Sequence, residues 1–158
     1  MATHSATVRW SLTGSGFLTR QYSREHTWSF DGGLTVRASA SPHVVAAPWS
    51  TAAAIDPEEA FVASVSSCHM LWFLHVACDA AFVIDSYEDE AVGLMTSNDR
   101  KVPWIRRITL RPQITWGGDR TPSAIEVQDL HRLAHQKCFI AASIKTEVVV
   151  ETPPRKDH

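Results

Sequence analysis

Residues Asp56 to Asp79 read DPEEAFVASVSSCHMLWFLHVACD, and this stretch decides the fold. Asp56 is a good N-cap, and Pro57 suits the first helical position, where its missing N–H costs nothing. Glu59 stands three after Asp56, the spacing of a capping box. From Ala60 to Cys78 there is no Asp, Glu, Lys or Arg. A helix on a domain surface carries a charged face; one without charge on any side is expected to be buried all round. A chain of 158 residues can hardly enclose about five helical turns alone while also feeding a sheet, so a second copy is expected to cover one side.

Ahead of this helix the chain reads as β. Ala6 to Leu12, Thr27 to Phe30 and Leu34 to Ala38 are short and rich in β-branched or aromatic residues, and Asp31-Gly32-Gly33 is a hairpin turn signal. Ser39 to Ile55, with Pro42 and Pro48, reads as a surface loop. Beyond Ala81 the strand pattern returns in two long runs, Phe82 to Met95 and Ile105 to Trp116, separated by a polar turn over Thr96 to Pro103. The second run alternates: Ile108, Leu110, Pro112 and Ile114 on one face, Thr109, Arg111, Gln113 and Thr115 on the other. Gly117-Gly118-Asp119 ends it. A second helix is expected over Pro122 to Lys137, with Ile125, Leu130, Leu133 and Ala134 as its apolar stripe, and a last strand over Ile144 to Val150 before the Pro153-Pro154 tail. This order predicts an antiparallel α+β sandwich rather than a doubly wound sheet. It forms a single domain over residues 1–158, with 1–5 and 152–158 as flexible tails.

Composition excludes several classes. Apolar residues make up 44% and charged residues 20%, a globular balance rather than a disordered one. Fifteen basic and 17 acidic residues leave a net charge of -2 with eight neutral histidines, which offers no clustered basic surface for nucleic acid. Met1 to Trp10 lacks the apolar core of a signal peptide, and the uninterrupted apolar runs fall far short of the roughly 20 residues that cross a bilayer. The expectation is a cytoplasmic protein that binds neither membrane nor nucleic acid.

Three cysteines remain to be explained: Cys68, Cys78 and Cys138. Ten helical residues rise about 15 Å, too far for Cys68 and Cys78 to bond within one intact helix. Cys68–Cys138 and Cys78–Cys138 both stay open as pairs, and all three can equally be small buried apolar side chains. No CxxC is present, so neither a structural zinc site nor a thioredoxin-type site is indicated.

The segments Asp56-Pro57-Glu58-Glu59-Ala60-Phe61 and Ser66-Ser67-Cys68-His69-Met70 resemble the signature of the OsmC/Ohr family of peroxidases. So do Cys138-Phe139-Ile140-Ala141-Ala142-Ser143-Ile144-Lys145-Thr146 and, earlier, Tyr22-Ser23-Arg24, Phe30-Asp31-Gly32-Gly33 and Ser39-Ala40-Ser41-Pro42. The resemblance covers nearly the whole chain. It implies an OsmC-like domain, antiparallel sheets packed around central helices, in an intertwined homodimer with sites at the subunit interface. The activity it implies is thiol-dependent reduction of hydroperoxides, usually organic ones, with hydrogen peroxide as a further substrate. Carried over by position, Cys68 is the peroxidatic cysteine and Cys138 resolves its sulfenic acid as a Cys68–Cys138 disulfide. Glu58 matches the family's glutamate and Arg24 its arginine, with Arg20 close behind. No bound cofactor is implied; an external dithiol, often a lipoylated protein, is the implied reductant and partner.

General chemistry agrees with these roles. A free thiol has a pKa of about 8.5 and the thiolate is the nucleophile, while the helix dipole fades within the first turn, well before Cys68. A reactive Cys68 therefore needs a cation from elsewhere, and arginine also offers planar donors to a peroxide or to Glu58. Glu58 lies about 15 Å from Cys68 along the helix and would act through the arginine or across the dimer; alone, it is a favourable first-turn carboxylate.

Phe139 departs from the proline that often follows Cys138 in the family. Cys78 has no family counterpart and reads as a core residue. Trp72 and Phe73 can line an apolar pocket or simply pack. His131 and His135 are spaced by four, as metal ligands can be, but read as solvated helix positions; His135 is also placed to lower the Cys138 thiol pKa. His69 points about 100° away from Cys68 and reads as core or pocket wall. The reading from another class is a non-enzymatic dimer of the same fold that binds a small apolar ligand or senses redox state.

Overall fold

The computed structural model describes residues 1–151, so the expected tail from 152 lies outside the described residues. The chain divides into two compact units, Met1–Ala60 and Phe61 onward.

In the first unit, β1 (Ala6–Arg9), β2 (His26–Phe30) and β3 (Thr35–Ala38) form an antiparallel sheet in the order β1-β2-β3. Gly33 turns the β2–β3 hairpin at φ +85°, a conformation that favours glycine. The first strand stops at Arg9, short of the expected Leu12. Trp10 leaves the ladder to donate its Nε1–H to the Ser23 carbonyl at 2.8 Å, and its ring joins those of Phe17 and Tyr22. The loop after β3 is tied down rather than loose: Ser39 N–H donates to the Ile55 carbonyl, and the Ser39 hydroxyl accepts from Thr51 N–H. It delivers the chain to Asp56, whose Oδ1 accepts from Glu59 N–H at 2.7 Å while Glu59 Oε2 accepts from Asp56 N–H at 3.2 Å. The capping box expected from sequence is therefore made on both sides.

The helix it opens, α1 (Pro57–Asp79), is long and apolar enough to cross a membrane by length and composition alone, with a mean hydropathy of 1.5. Single Ser and His residues punctuate its apolar run, so no uninterrupted stretch reaches that length. Its Val65, His69, Phe73, Val76 and Ala77 are buried in protein. Val65 packs with Ile108 and Leu110, whereas Phe73, Val76 and Ala77 pack with Phe82, Leu130 and Ala134. Cys78 is exposed, against expectation. It stands five residues after Phe73, about 140° round the helix from the buried face.

The two long β runs form one long hairpin, interrupted at its middle. β4 (Val83–Asp89) pairs with β7 (Pro112–Gly117), and β5 (Val92–Ser97) pairs with β6 (Pro103–Leu110), both antiparallel. Asp89 opposite Pro112 and Val92 opposite Thr109 keep the same register across the gap. Two residues make the interruption: Pro112 has no N–H for a ladder, and Asp89 Oδ1 takes the Arg111 N–H at 2.6 Å. The other Asp89 oxygen accepts from the Ser66 hydroxyl on α1. Gly93 allows β5 to approach α1, because a Cβ there would meet Val62 at 2.7 Å.

Helix α2 (Ala124–Lys137) starts at a second capping box, Ser123 with Glu126. Ile125, expected in its buried stripe, is exposed: it lies five residues before Leu130, again about 140° off. A short helix, α3 (Phe139–Ala142), follows at once, and then β8 (Glu147–Val150). The last strand lies parallel to β6, the one parallel ladder among the described strands, and completes the sheet β5-β6-β8. The fold is α+β with mainly antiparallel sheets, as the element order predicts.

Candidate active site

Cys68 sits midway along α1, half-buried; Cys138 is buried at the junction of α2 and α3. Both are free thiols, and Cys68 is near enough to raise the Cys138 thiol pKa. Of the two pairings left open by spacing, the fold brings together Cys68 and Cys138.

The local structure around Cys138 explains its chemistry. It ends α2 and caps α3, its Sγ accepting from Ala141 N–H at 3.4 Å. Burial pushes its thiol pKa up to about 11, the contact with Cys68 adds to this, and the Ala141 and Ile140 amides only partly offset it. At neutral pH Cys138 keeps its proton. The expected lowering by His135 is overturned: His135 is exposed, and burial dominates.

Aromatic side chains stand beside the thiols. Trp72, one turn after Cys68, meets the Phe139 ring edge-on at 5.4 Å, and Lys137 Nζ lies 5.3 Å from the Trp72 ring centre. Phe139 is 70% exposed, so its ring forms an apolar outer wall next to Cys138. Phe73 packs in the core instead of lining this wall.

Arg24 and Glu58 belong to the first unit, while both thiols belong to the second. The Arg24 Nη1 donates to the carbonyls of Arg20, at 2.9 Å, and Tyr22, and its guanidinium lies 3.8 Å from the Tyr22 ring centre. Arg20 contributes its backbone carbonyl from a left-handed conformation. The loop thus fixes the Arg24 guanidinium in place, with donors left over. Glu58 is half-buried in the first turn of α1. Among the described residues no group of three His, Cys, Asp or Glu side chains is placed to hold a metal ion.

The family model described as OsmC-like protein matches residues 50–153, which include both cysteines. The chain belongs to the OsmC-like family. A solved OsmC-like protein of unknown function from Vibrio cholerae is 47% identical, with a TM-score of 0.94 over 97% of this chain and 100% of that one. An organic hydroperoxide resistance protein from Bacillus subtilis shares the fold at 20% identity, with a TM-score of 0.70 over 96% and 98% of the two chains. Another from Legionella pneumophila does so at 18% identity, with a TM-score of 0.69 over 96% of each. A search of curated proteins found no significant match.

One feature of this OsmC-like chain escaped the sequence reading. His131, expected in solvent, is buried against His69, His69 Nε2 lying 3.0 Å from His131 Nδ1. The sequence carries a signal for it: His131 lies four after Val127 and three before Ala134, on the inner face of α2.

Proposed function

We propose that this OsmC-like chain is a thiol-dependent peroxidase that reduces organic hydroperoxides, and hydrogen peroxide as a further substrate. The observation that carries the reading is the proximity of the free Cys68 and Cys138 thiols, close enough for one to shift the titration of the other. In the cycle, the Cys68 thiolate attacks a peroxide oxygen, the O–O bond breaks, and the alkoxide leaves as an alcohol after taking up a proton. Cys68 is left as a sulfenic acid. The Cys138 sulfur then attacks that sulfenic sulfur, an S–S bond forms, and the hydroxyl departs with a proton as water. Keeping Cys138 protonated until then suits this order, since it reserves the nucleophilic role for its neighbour. An external dithiol, of the lipoyl type, reduces the disulfide and returns both thiols. Arg24 supplies the cation and hydrogen-bond donors for the thiolate and peroxide, with Glu58 holding that guanidinium. The protein works as a cytoplasmic homodimer whose second copy covers the uncharged face of α1.

The test is peroxide consumption by the purified protein with dihydrolipoamide as reductant, comparing an alkyl hydroperoxide with hydrogen peroxide. Many turnovers per chain, lost on replacing Cys68, support the reading. A folded protein with titratable thiols and no turnover would instead mark a ligand-binding or redox-sensing dimer.

A further inference from the structure

The interior of the second unit holds a polar contact that the thiol cycle does not use. His69 and His131 are both buried, and their ring nitrogens meet at 3.0 Å. Among the described side chains, theirs is the one hydrogen bond that joins α1 to α2. Each ring sits near a cysteine in the chain. His69 follows Cys68 on α1, and His131 lies seven residues, about two turns, before Cys138 at the end of α2.

Stability does not account for this pair. Two neutral imidazoles share a single N–H···N bond, and among the described residues their outer nitrogens, His69 Nδ1 and His131 Nε2, are buried without a partner. One modest hydrogen bond is thus set against two desolvated polar atoms, and two apolar side chains would fill the space at less cost. What apolar packing would not supply is direction. The imidazole planes are within 13° of parallel, and the Phe73 ring lies 4.3 Å from His131 and 6.5 Å from His69, so the bond admits little sliding of one helix on the other. Disulfide chemistry needs such control, because a sulfur displaced by 1 Å loses on the order of a hundredfold in reactivity.

We propose that the His69–His131 hydrogen bond is a positioning contact that holds the Cys68 and Cys138 thiols in register for disulfide formation; the proposal rests on the thiol-pair reading above. The groups around it agree. Burial keeps both imidazoles neutral, His69 down at about 4 and His131 at about 3. The charged or titratable neighbours that act on His69 are His135 on α2, which reinforces this, and Asp89 on β4, which opposes it. The bond therefore persists as a neutral N–H···N contact at the pH where thiols react.

The experiment is a glutathione redox titration of the whole chain at pH 7.5, in a Cys78→Ser background. One oxidised glutathione takes the two thiol hydrogens and leaves as two reduced glutathiones while the Cys68–Cys138 bond forms. The readout is the effective concentration of the two thiols. The double variant His69→Leu/His131→Leu is expected to melt no lower than the parent yet lose about tenfold in effective concentration. His69→Gln/His131→Asn, whose amides reach the positions of the two bonded nitrogens, is expected to recover most of that loss. A folded leucine pair with unchanged effective concentration overturns the proposal. If the leucine pair does not fold, His131→Gln decides it: the longer side chain keeps a hydrogen bond but changes the helix spacing, and parental effective concentration again overturns it. No peroxide enters this measurement, so failure of peroxide turnover is read separately. A parent chain that forms no Cys68–Cys138 disulfide overturns the thiol-pair reading and this proposal together.

Discussion

Helices α1 and α2 lie in one fold and share one core, but only α2 is finished as a surface helix. Its inner side buries Leu130, His131 and Ala134; its outer side carries Asp129 paired with Arg132, and Glu126 paired with Arg120. α1 buries a comparable stripe, yet Ser64, Ser67, Leu71, His75 and Cys78 are exposed at spacings of three and four, with no Asp, Glu, Lys or Arg among them. Leu71 alone is 59% exposed. A stripe of this kind is neither core nor marked for water, the surface that the proposed homodimer would cover. Charge pattern, more than apolar content, separates the outer faces of the two helices.

The sharpest break in the comparison is chemical. If the thiol on α1 attacks peroxide and the thiol ending α2 resolves the product, Cys68→Ser abolishes peroxide consumption, whereas Cys138→Ser leaves one stoichiometric oxidation per chain. A stopped-flow trace that shows equal turnover in either variant and the parent would remove the division of labour. The next largest effect lies where the helices share a core. Phe73→Ala, at a fully buried position, is expected to cost about 4 kcal/mol in urea denaturation.

The exposed faces can be set directly against each other. Leu71→Glu on α1 is expected to weaken self-association by about a hundredfold, and Ile125→Glu on α2 to leave it alone, as read by light scattering across a dilution series. Equal behaviour would dissolve the contrast between the two helices. Acid tests what lies between them. The imidazoles of His69 and His131 titrate lower in the folded chain than the ordinary 6.5, so the unfolded chain binds more protons below that value. Stability is intact above pH 6.5 and falls as the pH drops toward 4, by on the order of 4 kcal/mol for the two groups together between pH 7 and pH 5. Replacing both histidines with leucine should flatten that slope. The smallest effect is at the start of α2, where Ser123→Ala removes half a capping box and should cost about 1 kcal/mol.

Local signals are legible where a residue acts through its own neighbourhood. Asp56 with Glu59, the hairpin at Gly33 and the start of α1 all follow from short-range rules, whereas the uncharged run of α1 is buried on one side only. The thiol pair was legible as a pairing of residues 70 apart only through the family resemblance, since spacing alone left Cys78 available. What stayed hidden depends on side chains meeting across the fold. The Asp89 carboxylate intercepts the Arg111 amide and so cuts two long strand runs in half, and no pattern in either run announces it. His131 found another histidine on a distant helix, and a neutral buried pair leaves no trace in a charge count. Cys78 and Ile125 each stand five residues from a buried position, about 140° round the helix, and so leave the buried face.

The parallel pairing of β8 with β6 sets a schedule for synthesis. A ribosome that has delivered β5 and β6 has built a hairpin with one side open, and both α2 and α3 must emerge before Glu147 to Val150 can close it. Until then the outer edge of β6 offers unpaired amides and carbonyls to any passing strand. A chain stalled after α2 would meet that hazard with its thiol helix already formed, so translation pauses past that point, rather than the finished protein, are where this fold is most open to aggregation.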